Sequence, residues 1–208
     1  MILDDIYLIL TGLIAGAIDS IAGGGGMITL PVLSSVVGPG AHAIGTNKIV
    51  GASGAFIAFL VYANHLKKSK QPFPLKKGLL FLVTIGLGSF IGSLCTPHLP
   101  KIYFRYLLIA VCPLVLWVLW NKQMFLQRCT DHPPRPFSIL IATGLGVGFY
   151  DGFFGPGGGT FMLLGLLWAV RLPLFEALLL SKLANTISAS VSLVSYAAQG
   201  YVHVYVGV

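Results

Sequence analysis

The sequence DSIAGGGG at residues 19–26 places an acidic residue four positions before glycine, inside an otherwise apolar segment. The sequence DGFFGPGGG at residues 151–159 repeats this arrangement, with the same spacing from Asp151 to its first glycine. A glycine inside a helix costs about 1 kcal/mol relative to alanine, so three or four together should break the helix. Paired broken helices in two halves of a membrane protein point to the binding site of a transporter.

The composition indicates an integral membrane protein. Of the 208 residues, 56% are hydrophobic and only 9% are charged, whereas soluble domains are about 25% charged. Long continuous apolar runs favour helices over a β-barrel, whose strands alternate apolar and polar residues. We therefore predict an all-α, polytopic transmembrane helical bundle with two related halves and glycine-broken helices. The net charge of +7 does not indicate nucleic-acid binding, because the basic residues cluster in loops between apolar runs.

Six apolar blocks follow one another along the chain. A spanning helix needs about 20 residues, so the second, third, fourth and sixth blocks each fit one span. The first and fifth blocks are longer, and each fits either a kinked long helix or a helix followed by a half-helix. The first block follows acidic residues rather than a basic segment, so we interpret it as retained and not as a signal peptide. The blocks are approximately 6–37, 43–63, 78–94, 102–120, 137–170 and 175–198.

Basic residues predict the orientation in the membrane. The loop at 64–77 carries five lysines and the loop at 121–136 carries three basic residues, whereas the link at 95–101 carries one. Both basic loops are therefore expected to be cytoplasmic, in a multi-pass protein of the inner (plasma) membrane. If each long block crosses the membrane, the two halves run in the same direction. If each long block re-enters instead, the halves could be inverted, and the sequence leaves both arrangements open.

The repeat extends beyond the glycines. Asn47-Lys48-Ile49 lies opposite Ser181-Lys182-Leu183 after a two-residue slip. We expect a first repeat at residues 1–125 with about four transmembrane segments. The second repeat, at 136–208, is expected to be incomplete, with a broken helix, one further span and a stub. The sequence ends where the next helix would begin, which predicts a shortened or a truncated member.

Each glycine break is a candidate anion site. The half-helices expected near Met27 and Thr160 would direct unpaired N–H groups and a partial positive charge towards the breaks. The alternative is that the glycines only allow close helix packing. Together with polar neighbours, the predicted substrate-binding residues are Gly23, Gly24, Gly25, Gly26, Asn47, Lys48, Gly155, Gly157, Gly158, Gly159, Lys182 and Asn185.

Two aspartates and two lysines within the apolar blocks are candidate functional residues. Asp19 and Asp151 are expected either to carry protons or to cap the broken helices, because a bare carboxylate in the membrane is costly. Lys48 and Lys182 occupy matching positions in the two repeats. Each could face the glycine break of its own unit, or could extend to the membrane surface instead.

Metal, cofactor and catalytic patterns are missing from the sequence. Cys95, Cys112 and Cys129 are isolated and form no Cys-x-x-Cys pair. The five histidines show no metal-ligand spacing, and no phosphate-binding loop motif is present. We expect no cofactor, no metal and no catalytic residues.

These motifs resemble the sulfite exporter TauE/SafE family of membrane permeases. The matching residues are Asp19-x-x-x-Gly-Gly-Gly-Gly, Gly45-Thr46-Asn47-Lys48, Gly148-x-x-Asp151-Gly-x-x-Gly-Pro-Gly-Gly-Gly159 and Ser181-Lys182-Leu183-Ala184-Asn185. The resemblance implies an inner-membrane permease that moves sulfite, sulfonates or similar small sulfur-containing anions. Members of the family usually have more spans than this chain supplies.

The resulting hypothesis is a secondary transporter of small anions, with the substrate between the two glycine breaks. The alternatives are an anion channel or pore, and a membrane scaffold or subunit that does not itself transport. An intramembrane enzyme is the least favoured interpretation. The expected partners are a small anion and the lipid bilayer, not nucleic acid, with a homo-oligomer left open.

Overall fold

The computed structural model describes residues 2–22, 24–69, 75–121 and 136–207. All regular elements within these ranges are helical, which confirms the all-α prediction. The helices are α1 (Ile2–Ala22), α2 (Gly26–Val36), α3 (Ala41–Ser69), α4 (Leu75–Cys95), α5 (Lys101–Trp120), α6 (Phe137–Phe153), α7 (Gly158–Leu164), α8 (Leu174–Ala198) and α9 (Val204–Gly207). A 3-10 turn, Thr96–His98, joins α4 to α5, and a π-helical turn, Gly165–Ala169, extends α7.

The first long apolar block forms a helical hairpin. Gly26, at the start of α2, lies beside Asn47 of α3. Leu33, near the end of α2, packs in one cluster with Ile44, near the start of α3, and Leu8 of α1 packs against the same cluster. The chain therefore enters along α1, turns at the glycines and returns along α2 to the level of Leu8. This is the helix followed by a half-helix, not the kinked single span.

The second long apolar block repeats this hairpin. Gly155 and Gly157 have positive φ angles of 99° and 74°, which side chains other than glycine rarely adopt. The returning helix α7 begins at Gly158, and the π-helical turn that extends it brings Gly165 next to Thr143 of α6. The half-helices start at Gly26 and Gly158, one and two residues before the predicted positions near Met27 and Thr160.

The two hairpins point in opposite directions. Gly45, near the start of α3, lies against Tyr196, near the end of α8. Asp19 lies close both to Gly54, in the middle of α3, and to Lys182, in the first half of α8. Helices α3 and α8 are therefore antiparallel, and each runs parallel to the first helix of its own hairpin. The structure thus has the inverted arrangement, one of the two that the sequence left open.

Helix α4 packs along α6 and α8 through small residues. Gly88 faces the backbone of Leu145, and Gly148 faces the backbone of Ile85. The Ser89 hydroxyl donates a hydrogen bond of 2.8 Å to the carbonyl of Ser188 on α8. Small residues let membrane helices approach closely, and this contact holds the second hairpin against the rest of the bundle.

The dimensions suit a membrane. Within the described ranges, four helices are long and apolar enough to cross a bilayer. Four shorter apolar helical segments belong to the hairpins: Leu8–Asp19, Gly26–Val36, Phe137–Phe153 and Gly158–Ala169. Many large apolar side chains are exposed, including Leu13, Ile57 and Ile109. The end of α3 and the starts of α4 and α6 lie at one end of the bundle. Helix α3 extends to Ser69, which shortens the loop predicted at 64–77; residues 122–135 of the other loop lie outside the described ranges.

Candidate functional site

The tips of the two hairpins meet near the middle of the bundle. A Cβ atom added at Gly26 would lie 3.6 Å from the Cα of Pro156. A side chain at the neighbouring Gly25 would collide with the backbone of Ala15. The absence of side chains therefore lets each half-helix begin in close contact with its neighbours, so both the packing and the anion-site interpretations of the glycines remain compatible with the geometry.

A small polar cavity lies where the tips meet. Its volume is about 30 Å³, which is room for roughly two water molecules. An anion with four or more heavy atoms would therefore fit only after the tips move apart. The cavity is lined by Asp19, Gly26, Asn47, Lys48, Gly51, Asp151, Gly155, Gly157, Gly158, Gly159, Asn185 and Ala189.

Lys48 and Asp151 form a buried ion pair at this cavity. The Lys48 Nζ lies 2.9 Å from the Asp151 Oδ2, and the two residues are only 4% and 3% exposed. Lys48 also donates a hydrogen bond to the backbone carbonyl of Asp151. The hydroxyl of Ser188 donates a second hydrogen bond to Oδ2, at 2.6 Å. The carboxylate is thus held by a cation and a hydroxyl, as a buried charge requires.

Asp19 has a different environment. Its Oδ1 accepts a hydrogen bond of 3.1 Å from the Gly25 amide, so it caps the start of the first half-helix. Its Oδ2 is buried and has no hydrogen-bond partner among the described residues. Lys182 donates to the backbone carbonyl of Asp19, at 2.8 Å. Where Ser188 supports Asp151, the matching position beside Asp19 is Gly54, which has no hydroxyl to offer.

Each lysine reaches across to the other hairpin. Lys48 follows the first glycine break in the chain, yet it contacts Asp151 and Gly155 of the second. Lys182 follows the second break and contacts Asp19 of the first. Neither alternative from the sequence, the break of the lysine's own unit or the membrane surface, describes these two buried lysines. The cause is the inverted arrangement, which brings the start of each long helix to the hairpin that enters from the opposite side.

Backbone and amide groups complete the polar lining. Within the described part of the chain, the N–H groups of Gly157 and Gly159 make no hydrogen bond, although both residues line the cavity. Asn47 accepts a hydrogen bond from the Thr29 hydroxyl. This hydrogen bond orients the Asn47 side chain towards the first hairpin. Asn185 lines the cavity from α8. The geometry therefore offers N–H donors and a lysine cation beside an acidic group.

Most of the predicted residues lie together. Gly26, Asn47, Lys48, Asn185 and both aspartates line the cavity with the glycines of the second break. Lys182 bonds to Asp19 but is not part of the lining, and neither are Gly24 and Gly25. Gly23 lies outside the described residues.

Ser188 and Thr29 were not among the predicted site residues. Ser188 follows Lys182 and Asn185 at intervals of three positions on α8, which places all three on one helix face. That periodicity is a signal that could have identified the serine. Thr29 has no such pattern, because only the fold places it beside Asn47.

Comparison with known proteins places the chain among membrane transporters. The family model described as "Sulfite exporter TauE/SafE" matches residues 8–208. A "Probable membrane transporter protein" of Haemophilus influenzae is 32% identical over 86% of this chain and 68% of its own length. The "Probable membrane transporter protein YfcA" of Escherichia coli strain K12 is 33% identical over 87% of this chain and 65% of its own length.

A third relative, ORF9 of a Sinorhizobium species, also carries the name "Probable membrane transporter protein". It is 32% identical over 86% of this chain and 67% of its own length. The chain therefore spans about two thirds of the length of these relatives. No solved structure matches the chain.

Proposed function

Because this chain belongs to the sulfite exporter TauE/SafE family of membrane transporters, we propose that it is a secondary transporter of small anions, sulfite or organosulfonate in type. The observation that carries the proposal is the buried Lys48–Asp151 pair where the two hairpin tips meet, beside the Gly157 and Gly159 amides, which make no hydrogen bond within the described residues. A multi-pass membrane protein has little reason to bury an ion pair at its centre unless the charges serve transport.

The substrate anion binds where the Asp151 carboxylate now contacts Lys48. The Lys48 ammonium and the N–H groups of Gly157 and Gly159 form a set of donors for an oxyanion. Asn185 and Asn47 supply further amide groups at the wall of the cavity. The carboxylate of Asp151 is the competing anion, so substrate and carboxylate exchange places on Lys48.

Protonation of an aspartate is the proposed coupling step. A proton on Asp151 removes its negative charge, weakens its hold on Lys48 and lowers its repulsion of an incoming anion. Asp19 is the second proton acceptor, because one of its buried oxygens lacks a hydrogen-bond partner among the described residues. In this scheme one or both acids link anion movement to the proton gradient, and the cap on Gly25 holds Asp19 in place.

The proposed location is the inner (plasma) membrane, with the basic segments at 64–77 and 121–136 in the cytoplasm. The excess of lysine and arginine in both segments supports this orientation. Labelling of single cysteines in these segments from either side of intact cells would test it. Labelling of these cysteines from the outside of the cells would show that the orientation is the opposite one.

Transport in vesicles tests the function. Purified chain is reconstituted, and uptake of labelled sulfite, thiosulfate, sulfoacetate and sulfate is measured with and without a pH gradient. We expect saturable uptake of at least one sulfur oxyanion, and exchange of labelled for unlabelled anion across the membrane. Non-saturating flux would indicate a pore, and no flux of any of the four would contradict transport by this chain.

The variant Lys48→Met tests whether this lysine binds the anion. The matched variant is Lys101→Met, which removes an exposed lysine at the start of α5. We expect Lys48→Met to abolish most uptake and Lys101→Met to leave it within about twofold of wild type. Equal uptake in the two variants would show that Lys48 does not bind the anion.

A further inference from the structure

Helices α1 and α6 have closely similar sequences. Residues 8–19, LILTGLIAGAID, and residues 140–151, LIATGLGVGFYD, are identical at seven of the twelve positions. Gly12 and Gly16 of α1 correspond to Gly144 and Gly148 of α6. Both helices therefore carry two small residues four positions apart, one turn and two turns before the aspartate.

On α6 these small residues form a helix–helix contact. A Cβ atom added at Gly144 would lie 2.1 Å from the Thr84 hydroxyl oxygen, and one at Gly148 would lie 2.4 Å from the Ile85 carbonyl oxygen. Both Thr84 and Ile85 belong to α4. The glycines on α6 are thus required for the close approach of a parallel transmembrane helix.

On α1 the corresponding face is open. Among the described residues, no atom of a neighbouring element lies within 4 Å of a Cβ added at Gly12 or at Gly16. The adjoining side chains of Ile9 and Leu13 are 62% and 68% exposed. The same small-residue face therefore contacts a helix in one half of the molecule and, within the part of the chain that the structure describes, is left uncovered in the other.

The neighbouring long helices show the same difference independently. On α8, Ile187 and Val191 lie close to Gly86 of α4. With the two-residue slip of the repeat, their counterparts on α3 are Ser53 and Ile57. Ser53 is exposed, and Ile57 is 62% exposed. One continuous surface, formed by α1 and α3, thus corresponds to the surface of α6 and α8 that α4 covers.

We propose that this surface of α1 and α3 binds a transmembrane helix of the α4 type, the third span of a complete second repeat. Such a helix is apolar, carries small residues four positions apart as Gly88 and Gly92 do, and runs parallel to α1. The greater length of the relatives supports this occupant, since this chain spans only about two thirds of them. Its binding would complete the inverted symmetry around the two hairpins.

Cross-linking tests the proposal with α4 itself as the probe. The whole chain is co-expressed with a tagged peptide of residues 75–100, and the native cysteines are replaced in both. Cysteines replace Gly12 in the chain and Thr84 in the peptide, because Thr84 contacts the matching glycine of α6. We expect an oxidative cross-link between Gly12→Cys and Thr84→Cys at least tenfold above that from Leu116→Cys, an exposed position on α5.

Variants that fill the face provide the second readout. Gly12→Ile together with Gly16→Ile should leave the chain folded, since nothing lies within 4 Å, but should abolish co-purification of the peptide. Gly146→Ile, which fills an equally open position on α6, should still allow the peptide to co-purify with the chain.

Four results would overturn the proposal. The first is cross-linking of the peptide to Leu116→Cys that equals its cross-linking to Gly12→Cys. The second is cross-linking of the peptide to a Gly144→Cys variant of the chain but not to Gly12→Cys, because the peptide would then have displaced α4. The third is a Gly12→Cys disulfide between two copies of the chain without peptide, because the face would then bind a second copy. The fourth is peptide binding that the isoleucine pair leaves unchanged.

Discussion

At the scale of single residues, the centre of the molecule depends on two oppositely charged groups that lie away from water. Lys48 and Asp151 satisfy each other, and Ser188 adds a hydrogen bond to the carboxylate. Removing one partner of a buried pair leaves a buried charge, which typically costs about 3–5 kcal/mol, whereas replacing both partners is often nearly neutral. Stability and transport can therefore be separated at this pair.

Asp151→Asn should impair transport while leaving membrane insertion intact. The asparagine cannot balance the charge of Lys48 or exchange a proton, so we expect at least tenfold slower uptake and a lower apparent melting temperature in detergent. The double variant Lys48→Met/Asp151→Asn should recover most of the melting temperature but none of the transport. Wild-type uptake in Asp151→Asn would remove the proposed role of this acid.

Asp19→Asn should separate proton coupling from folding. The asparagine oxygen can still accept the hydrogen bond from the Gly25 amide, so the cap is retained and the melting temperature should change by only a few degrees. If Asp19 carries protons, the stimulation of uptake by a pH gradient should disappear. Gradient-stimulated uptake equal to that of wild type would assign the aspartate to capping alone.

At the scale of secondary-structure elements, glycine determines which helices can approach one another. The α4–α6 contact brings Gly148 against the backbone of Ile85, and Gly152 against that of Ser89. Backbone atoms cannot rotate away as a side chain can. The contact therefore tolerates no added carbon, although glycine lowers the intrinsic stability of each helix.

Gly148→Leu should disrupt the bundle, and Gly146→Leu should not. Gly148 faces α4, whereas no atom lies within 4 Å of a Cβ added at Gly146 on the same helix. We expect aggregation or loss of the monodisperse peak on size-exclusion chromatography for the first variant only. Similar behaviour of the two variants would mean that the α4–α6 contact does not limit stability.

At the scale of the whole molecule, two hairpins enter the bundle from opposite sides and meet at their tips. Inverted repeats of this kind suit alternating access, because movement of either tip would open the central cavity to one side of the membrane. The cavity between the tips has a volume of about 30 Å³, which is room for roughly two waters.

The sequence predicted local features of this arrangement better than its contacts. The glycine runs and the preceding aspartates located both breaks, because glycine affects the chain at the position where it occurs. Block length could not distinguish a returning half-helix such as α2 from a kinked span, since both bury the same apolar residues. The partners of Lys48 and Lys182 were not predicted, because the pairing depends on helix direction, which residue spacing does not encode.

A reversible cross-link between the two tips tests the central claim most directly. Cysteines replace Gly26 and Pro156, which are neighbours where the tips meet, in a chain that lacks the native cysteines, and anion uptake into vesicles is measured. If the anion passes between the tips, oxidation should stop uptake and a reducing agent should restore it. Undiminished uptake by the fully cross-linked protein would contradict the account.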